Sequence, residues 1–225
     1  MSFENVLAVD TATMRLNLAL LHHGDRSVQS SESVARTHGQ IIMKKIDELF
    51  QSSGVAVGEL QGIVVSLGPG SFTGLRIGLA AAKGIAVAGE IAIVGVTMFE
   101  LVGARLRHEE RPTYVVIPSR KDELYLGTYG HEDNAEPIVT IVSEAELSAK
   151  IGDYVVYTVG CGAEAFLSDH LQQAARRFNY DAMDLLRVGL NKLQARQHAD
   201  LAALEPVYYQ KAIAEIRFDR RRGEV

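Results

Sequence analysis

A glycine-rich block between residues 68 and 78 is the stretch of this sequence best suited to holding an anion. It reads Gly-Pro-Gly-Ser-Phe-Thr-Gly-Leu-Arg-Ile-Gly and follows a β-branched apolar run. A helix that begins after a glycine turn can bind an anion through its free N–H groups. The spacing of the first three glycines is one residue off the dinucleotide fingerprint, and no Gly-Lys-Ser/Thr follows as in a Walker A loop. The block is therefore only a weak indication of phosphate binding.

The same block predicts a strand, a turn and a helix. The apolar run Ile63–Leu67 is bounded by turn residues, which is typical of a buried strand. Proline and glycine then force a turn, and Ser71 or Thr73 can cap the helix that follows. We expect this helix over Phe72–Ala88, with Gly89 as its C-terminal stop.

Two stripes of the predicted helix could contact a neighbour. One stripe consists of small residues and an isoleucine: Gly74, Gly78, Ala81 and Ile85. The other carries the cations Arg76 and Lys83. An interior glycine costs about 1 kcal/mol relative to alanine, so two of them on one stripe indicate that another backbone comes close. The stripe either packs inside its own fold, with both cations solvated, or forms a partner surface with a cationic edge.

Few other side chains are placed for chemistry. Asp10 ends an apolar run and puts a carboxylate at the first turn, whereas Ser71 lacks a Gly-x-Ser-x-Gly elbow and is expected to cap a helix. Cys161 stands between two glycines and is either a reactive thiol at a helix start or a buried, inert one. His22 and His23 are expected in an exposed turn, and His38 at a helix start as a cap or surface residue.

Composition excludes several classes of protein. The chain has 225 residues, 47% of them apolar and 23% charged, with a net charge of −5, which is typical of a globular protein without autonomous nucleic-acid binding. A single cysteine excludes an internal disulfide and fits a reducing cytoplasm. The N-terminus lacks the basic and apolar regions of a signal peptide. The apolar segment from Ile77 to Val96 is too interrupted by charges and glycines to predict a membrane span.

The order of predicted elements repeats. Strand-strand-strand-helix-strand-helix occurs twice, offset by about 108 residues, which indicates α/β architecture in two related halves. We place the boundary between residues 108 and 109, with a helical tail at the end of the second half. A helix predicted over Ala163–Phe178 ends the second repeat.

Three segments carry a resemblance to a known family. They are Val6 to Thr13, the block from Gly68 to Gly78, and Glu205-Pro206-Val207-Tyr208-Tyr209. Together they resemble the TsaB (YeaZ) family, and the likeness spans nearly the whole chain. The resemblance implies an α/β fold of two RNase H-like lobes, as in the actin-like ATPase superfamily, each with a mixed sheet, a three-strand meander and flanking helices.

The resemblance also implies a function. TsaB proteins are non-catalytic partners of TsaD, which transfers the threonylcarbamoyl group to adenosine 37 of tRNAs that read ANN codons. The ATPase TsaE joins the assembly, and TsaB alone forms homodimers. For this chain it implies a scaffold in the cytoplasm that contacts tRNA only within the complex, with ATP or ADP at a junction with TsaD and TsaE. The partner surface carries over onto the two stripes of the helix after the glycine block.

Catalysis by this chain is not expected. Asp10, with Thr11 and Thr13, matches the superfamily's nucleotide site, but Ala12 stands where active ATPases usually have glycine, and its Cβ narrows the phosphate approach. Pro118 stands where an acid is expected in the second lobe. Met98 and Val102 occupy the positions of a metal-binding histidine pair in TsaD, so we expect no metal site.

Two other functions remain open at this point. Asp10 favours an active sugar- or acetate-kinase-like enzyme of the same superfamily, which Ala12 and Pro118 oppose. A metallopeptidase would need stoichiometric metal. The basic tail with Arg217 and Arg220 to Arg222 is either a solvated terminus or a contact for tRNA phosphates.

Overall fold

The computed structural model describes residues 2–33, 38–106, 111–120, 123–129, 137–159 and 168–209. The first half contains β1 (Val6–Asp10), β2 (Arg15–His22), β3 (Arg26–Ser33), α1 (His38–Ser53), β4 (Gly62–Gly68), α2 (Phe72–Gly89), β5 (Ala92–Thr97) and α3 (Met98–Leu106). The second half contains β6 (Thr113–Arg120), β7 (Glu123–Tyr129), β8 (Ile138–Val142), α4 (Glu144–Lys150), β9 (Val155–Val159), α5 (Asp169–Ala174), β10 (Arg176–Phe178) and α6 (Ala182–Gln194).

The two sheets have the same topology. The first has the strand order β3-β2-β1-β4-β5 and the second β8-β7-β6-β9-β10. In each, the three consecutive strands form an antiparallel meander, and the remaining two strands run parallel to its first strand. The expected fold class, two RNase H-like lobes of the actin-like type, is therefore confirmed.

Helices cover both faces of each sheet, so the molecule is built in layers. Alternate residues of a strand point to opposite faces, and in β1 Leu7 and Val9 join the core under α1 and α2, whereas Val6 and Ala8 join a second core. That second core contains α3, α6 and the inner face of the second sheet. The outer face of the second sheet is covered by Leu147 of α4 and Leu171 of α5.

The C-terminal part of the chain departs from the sequence prediction in two ways. The helix predicted over Ala163–Phe178 is wrong beyond Ala174, because residues 176–178 form β10 beside β9. The tail assigned to the second half contains α6, and α6 packs on β1, β2, β4 and β5 of the first sheet. The boundary between residues 108 and 109 stays a prediction. The contacts of α6 nevertheless place this helix on the first half.

Helix α2 begins and ends close to where the sequence predicts. Ser71 is the N-cap, and its side chain accepts a hydrogen bond from the N–H of Gly74. Glu90 follows the last helical residue in the left-handed conformation. By length and composition alone α2 could span a membrane, but its buried side packs against β1, β4 and β5, as in a core helix.

Candidate functional site

Asp10 lies at the end of β1, where the superfamily places its nucleotide-binding acid, but it is closed off here. Its exposed fraction is 0%. One carboxyl oxygen accepts a hydrogen bond from the N–H of Ala12 at 2.9 Å. The other accepts from the amide of Asn17 at 3.0 Å and from the hydroxyl of Tyr180 at 3.0 Å. Three protein donors therefore already bond this buried carboxyl group.

The hydrogen bonds continue from Asp10 to the edge of the first sheet. The side-chain amide oxygen of Asn17 accepts a hydrogen bond from the hydroxyl of Ser31 at 2.5 Å. The guanidinium of Arg15 also donates to the Ser31 hydroxyl. Thr13 accepts from the N–H of Arg15 at 3.1 Å. Of the residues assigned to a vestigial nucleotide site, Asp10 is thus bonded to Ala12, Asn17 and Tyr180, and Thr13 to Arg15.

The glycine-rich block lies directly on this first turn. The N–H of Ser71 donates to the carbonyl of Ala12 at 2.7 Å. A Cβ on Gly70 would overlap that same carbonyl, and a Cβ on Gly74 would overlap the carbonyl of Thr11. The block is therefore packed tightly against the turn that follows Asp10.

The partner surface predicted from the small-residue stripe needs a correction. Gly74 and Gly78 are buried, and a Cβ on Gly78 would overlap the side chain of Thr11. Gly74 approaches the backbone of Thr11 and Gly78 its side chain, so the neighbour belongs to the same chain and the two glycines are not a free surface. Ala81 and Ile85 are half-buried and pack partly on the core beneath.

An exposed apolar groove runs along the outer side of α2. It has a volume of about 530 Å³ and is lined only by apolar residues and glycine: Met43, Val57, Gly58, Ala80, Ala81, Gly84, Ile85, Ala88 and Gly89. Met43 is 54% exposed and Val57 is 50% exposed, so the groove lies open between α1, the turn at residues 57–59 and α2. Of the predicted interface residues, Ala81 and Ile85 line this groove.

The two cations of the second stripe differ in their exposure to solvent. Lys83 is half-buried and Arg76 is exposed. The guanidinium of Arg76 lies 3.9 Å above the ring of Phe72, and its Nε donates to the hydroxyl of Tyr208 at 3.1 Å. Tyr208 belongs to the third segment that carries the family resemblance, and the sequence alone gives no sign that it meets α2.

The second half supplies no catalytic group at the matching position. Pro118 is half-buried on β6 and is paired with Leu124 of β7. Met98 and Val102 are buried in the core between the sheets. Within the described ranges, no group of three or more histidine, cysteine, aspartate or glutamate side chains could hold a metal ion.

The predictions on histidines are partly wrong, and two other predictions lie outside the described residues. His22 is buried rather than exposed, whereas His23 is exposed in the predicted turn. His38 lies at the start of α1 as predicted, but it is buried and not a surface residue. Cys161 and the basic tail at residues 217–222 fall outside the described residues.

Sequence reasoning missed Tyr180, Asn17 and Tyr208. Tyr180 is 170 residues from the carboxyl group it bonds, and an isolated tyrosine before a helix carries no signal of such a contact. A second tyrosine of the C-terminal segment, Tyr209, packs edge-on against Phe99 of α3 and lies 5.7 Å from the ring of Tyr125. Tyr209 thus ties the end of the described chain to both halves, whereas Tyr208 ties it to α2.

Comparison with known proteins gives a consistent set of relatives. A family model described as TsaD, tRNA N6-adenosine threonylcarbamoyltransferase, matches residues 29–203. The TsaB protein of Escherichia coli is 31% identical over 131 residues, which cover 57% of this chain and 56% of that protein. The TsaB protein of Bacillus subtilis is 30% identical over 128 residues, which cover 57% and 56%. Both are named tRNA threonylcarbamoyladenosine biosynthesis proteins, and the chain spans just over half the length of these relatives.

Solved structures agree on the fold. One from Pseudomonas aeruginosa, described as similar to the peptidase YeaZ, has a TM-score of 0.71 and 24% identity, covering 92% of this chain and 100% of that one. A structure of YeaZ from the same organism has a TM-score of 0.70 and 24% identity, covering 91% and 99%.

Proposed function

Because this chain belongs to the family described as TsaD, tRNA N6-adenosine threonylcarbamoyltransferase, and within it to the TsaB proteins, we propose that it is a non-catalytic subunit that binds TsaD. In this proposal, the chain acts with TsaD to form N6-threonylcarbamoyladenosine at position 37 of tRNAs that read ANN codons.

The observation that carries the proposal is the open groove on α2. Small residues at Ala80, Gly84 and Ala88 recur at helical spacing along it, and such a stripe lets a second helix approach closely. Exposed apolar patches rimmed by polar residues mark interaction sites. Val87, 65% exposed beside the groove, extends the apolar area. This groove replaces the partner surface predicted from the small-residue stripe. Ala81 and Ile85 of that stripe line the groove, whereas Gly74 and Gly78 do not.

The non-catalytic part of the proposal is supported by the closed first turn. Asp10 is satisfied by Ala12, Asn17 and Tyr180, and a group that is already bonded and buried would have to lose those bonds before it could act. The kinase-like alternative depends on Asp10 and loses its main support.

The rest of the assembly follows from the same proposal. TsaE joins the complex, ATP or ADP binds at a junction with TsaD and TsaE, and tRNA is bound only by the complete assembly in the cytoplasm. In the absence of TsaD, the groove pairs two copies of this chain as a homodimer.

A substitution in the groove tests the proposal. A side chain at Gly84 would extend into open space, so Gly84→Leu fills the groove without disturbing the core. We expect Gly84→Leu to abolish binding to purified TsaD by calorimetry and to abolish tRNA modification by the reconstituted enzymes. Asn191→Leu, on the exposed side of α6, is the matched control and should leave both unchanged.

Two results would contradict the proposal. One is normal TsaD binding by Gly84→Leu. The other is micromolar affinity for Mg·ATP, with turnover, in the purified wild-type chain, which would restore the kinase-like alternative.

A further inference from the structure

Resting on the proposed function, we propose that Arg76 determines partner specificity. Its guanidinium is held in a fixed orientation, and its two terminal nitrogens (the Arg76 fork) bind a carboxylate of the protein that covers the α2 groove. The partner then has a stated chemistry: an apolar ridge that fills the groove, with an acidic side chain beside one end of it.

The first step is that Arg76 is held in place. Its guanidinium stacks on Phe72 at 3.9 Å and lies 5.9 Å from the ring of Tyr208. The rings of Phe72 and Tyr208 are themselves 5.2 Å apart. Stacking and the bond from Nε to the Tyr208 hydroxyl fix a side chain that is usually mobile, and preorganisation reduces the entropy lost on binding.

The second step is that the fork is unused. Nε is bonded to Tyr208, and among the described residues no acceptor bonds the two terminal nitrogens and no carboxylate lies within ion-pair distance of them. Glu205, three residues before Tyr208, is exposed and makes no ion pair with Arg76. Arg76 is exposed, and a guanidinium with free terminal N–H groups matches the geometry of a carboxylate, which it can bind through two parallel hydrogen bonds.

The third step is continuity with the groove. Arg76 precedes Ala80 by four residues, so the two share one side of α2 one turn apart. Phe72 and Tyr208, 40% and 41% exposed, extend the apolar surface past Arg76. Exposed tyrosine and arginine side chains of this kind are enriched among the residues that dominate binding energy.

The fourth step is charge. The exposed side of α2 carries the cations Arg76 and Lys83 and no acidic residue. The groove lining is uncharged. A partner that covers this side therefore gains from an acidic side chain at Arg76 and loses from a basic one, which is how charge confers specificity at an interface.

The experiment measures binding of the full chain to purified TsaD by calorimetry at two salt concentrations, about 50 and 300 mM, which span strong and weak screening. We expect Arg76→Glu to weaken binding about tenfold or more and to flatten its salt dependence. Arg76→Lys keeps the charge but not the fork and should fall between wild type and Arg76→Glu. Tyr208→Phe releases Nε and should weaken binding by about twofold to fivefold. Arg187→Glu, an exposed reversal on α6, is the control and should bind as wild type.

Charge exchange gives the decisive result. Acidic residues of TsaD changed singly to lysine are tested against Arg76→Glu, and one of them should restore affinity. If Gly84→Leu abolishes binding but Arg76→Glu binds as wild type at both salt concentrations, this inference is overturned and the proposed function stands. If Arg76→Glu weakens only self-association, the fork serves a second copy and the inference is overturned. If wild-type chain does not bind TsaD at all, both fail.

Discussion

At the scale of single residues, three glycines of α2 show how position decides what a missing side chain does. Gly74 and Gly78 are buried against Thr11, where no Cβ fits, whereas Gly84 faces open space. The first two allow the helix to lie on the first turn of the same chain. Only the third leaves room for another molecule, although all three look alike in the sequence.

Substituting each glycine by alanine should give opposite results. Gly78→Ala adds a Cβ that overlaps Thr11, and such overpacking should lower the free energy of unfolding by about 1–3 kcal/mol. Gly84→Ala meets no atom and should raise it by up to about 1 kcal/mol through better helix propensity. Thermal or urea unfolding of the purified variants measures both.

A second substitution identifies the cause. In Thr11→Ala the overlapping hydroxyl oxygen and the Cγ2 atom at 3.2 Å are both gone, and only the Thr11 Cβ remains, 3.2 Å from the new methyl group. The penalty of Gly78→Ala should therefore shrink in that background. An equal penalty in both backgrounds would show that Thr11 is not what Gly78 accommodates.

At the scale of elements, a series of hydrogen bonds connects parts that are distant in sequence. It runs from Tyr180, ahead of α6, through Asp10 at the end of β1 and Asn17 on β2 to Ser31 on β3. It joins the C-terminal segment to the first sheet. Asp10 and Asn17 are buried, and buried polar groups are costly unless bonded, so these two side chains depend on their partners.

Removing one hydrogen bond to Asp10 should lower the free energy of unfolding less than changing Asp10 itself, which lies at the centre of these hydrogen bonds. Tyr180→Phe deletes one donor to Asp10 and should lower the free energy of unfolding by about 1 kcal/mol. Asp10→Asn brings an amide N–H₂ against neighbouring donors and should cost about 2 kcal/mol or more. Urea denaturation curves of both variants provide the comparison. If Asp10→Asn proves neutral, the carboxyl group is not the structural acceptor described here.

At the scale of the whole molecule, the two halves depend on each other. α6 follows the second sheet in sequence but covers the first, and its side chains share one core with α3 and both sheets. Two ion pairs hold α3 and α6 together: Lys192–Glu100 at 2.6 Å and Arg105–Asp184 at 3.2 Å. We therefore expect that the repeat in sequence does not correspond to two independent folding units.

A fragment of residues 1–108 should not fold by itself. Without α6, the side of the first sheet that carries Val6, Ala8, Val64 and Val94 would face water, although all four are fully buried in the full chain. We expect the full chain to unfold in one cooperative urea transition and the fragment to show none. A sharp transition and dispersed amide resonances in the fragment would contradict this dependence.

Local patterns in the sequence determined much of this protein. Short continuous apolar runs specified β1 and β4, Ser71 and the residues around Gly89 specified the ends of α2, and the repeated element order specified two like sheets. These signals are local, because apolar runs, helical period and capping depend on residues only a few positions apart. The motifs at residues 6–13 and 68–78 also sufficed to indicate the family.

The tertiary structure decided what those motifs contact. It placed the glycine block against Thr11 and Ala12, brought Tyr180 to Asp10, set Tyr208 beside Arg76 and moved α6 onto the first sheet. Each of these contacts joins residues that are distant in sequence, and it forms only because the summed packing of whole elements brings them together. For that reason the sequence could show that a close neighbour lay beside Gly74 and Gly78, but not that the neighbour was the same chain.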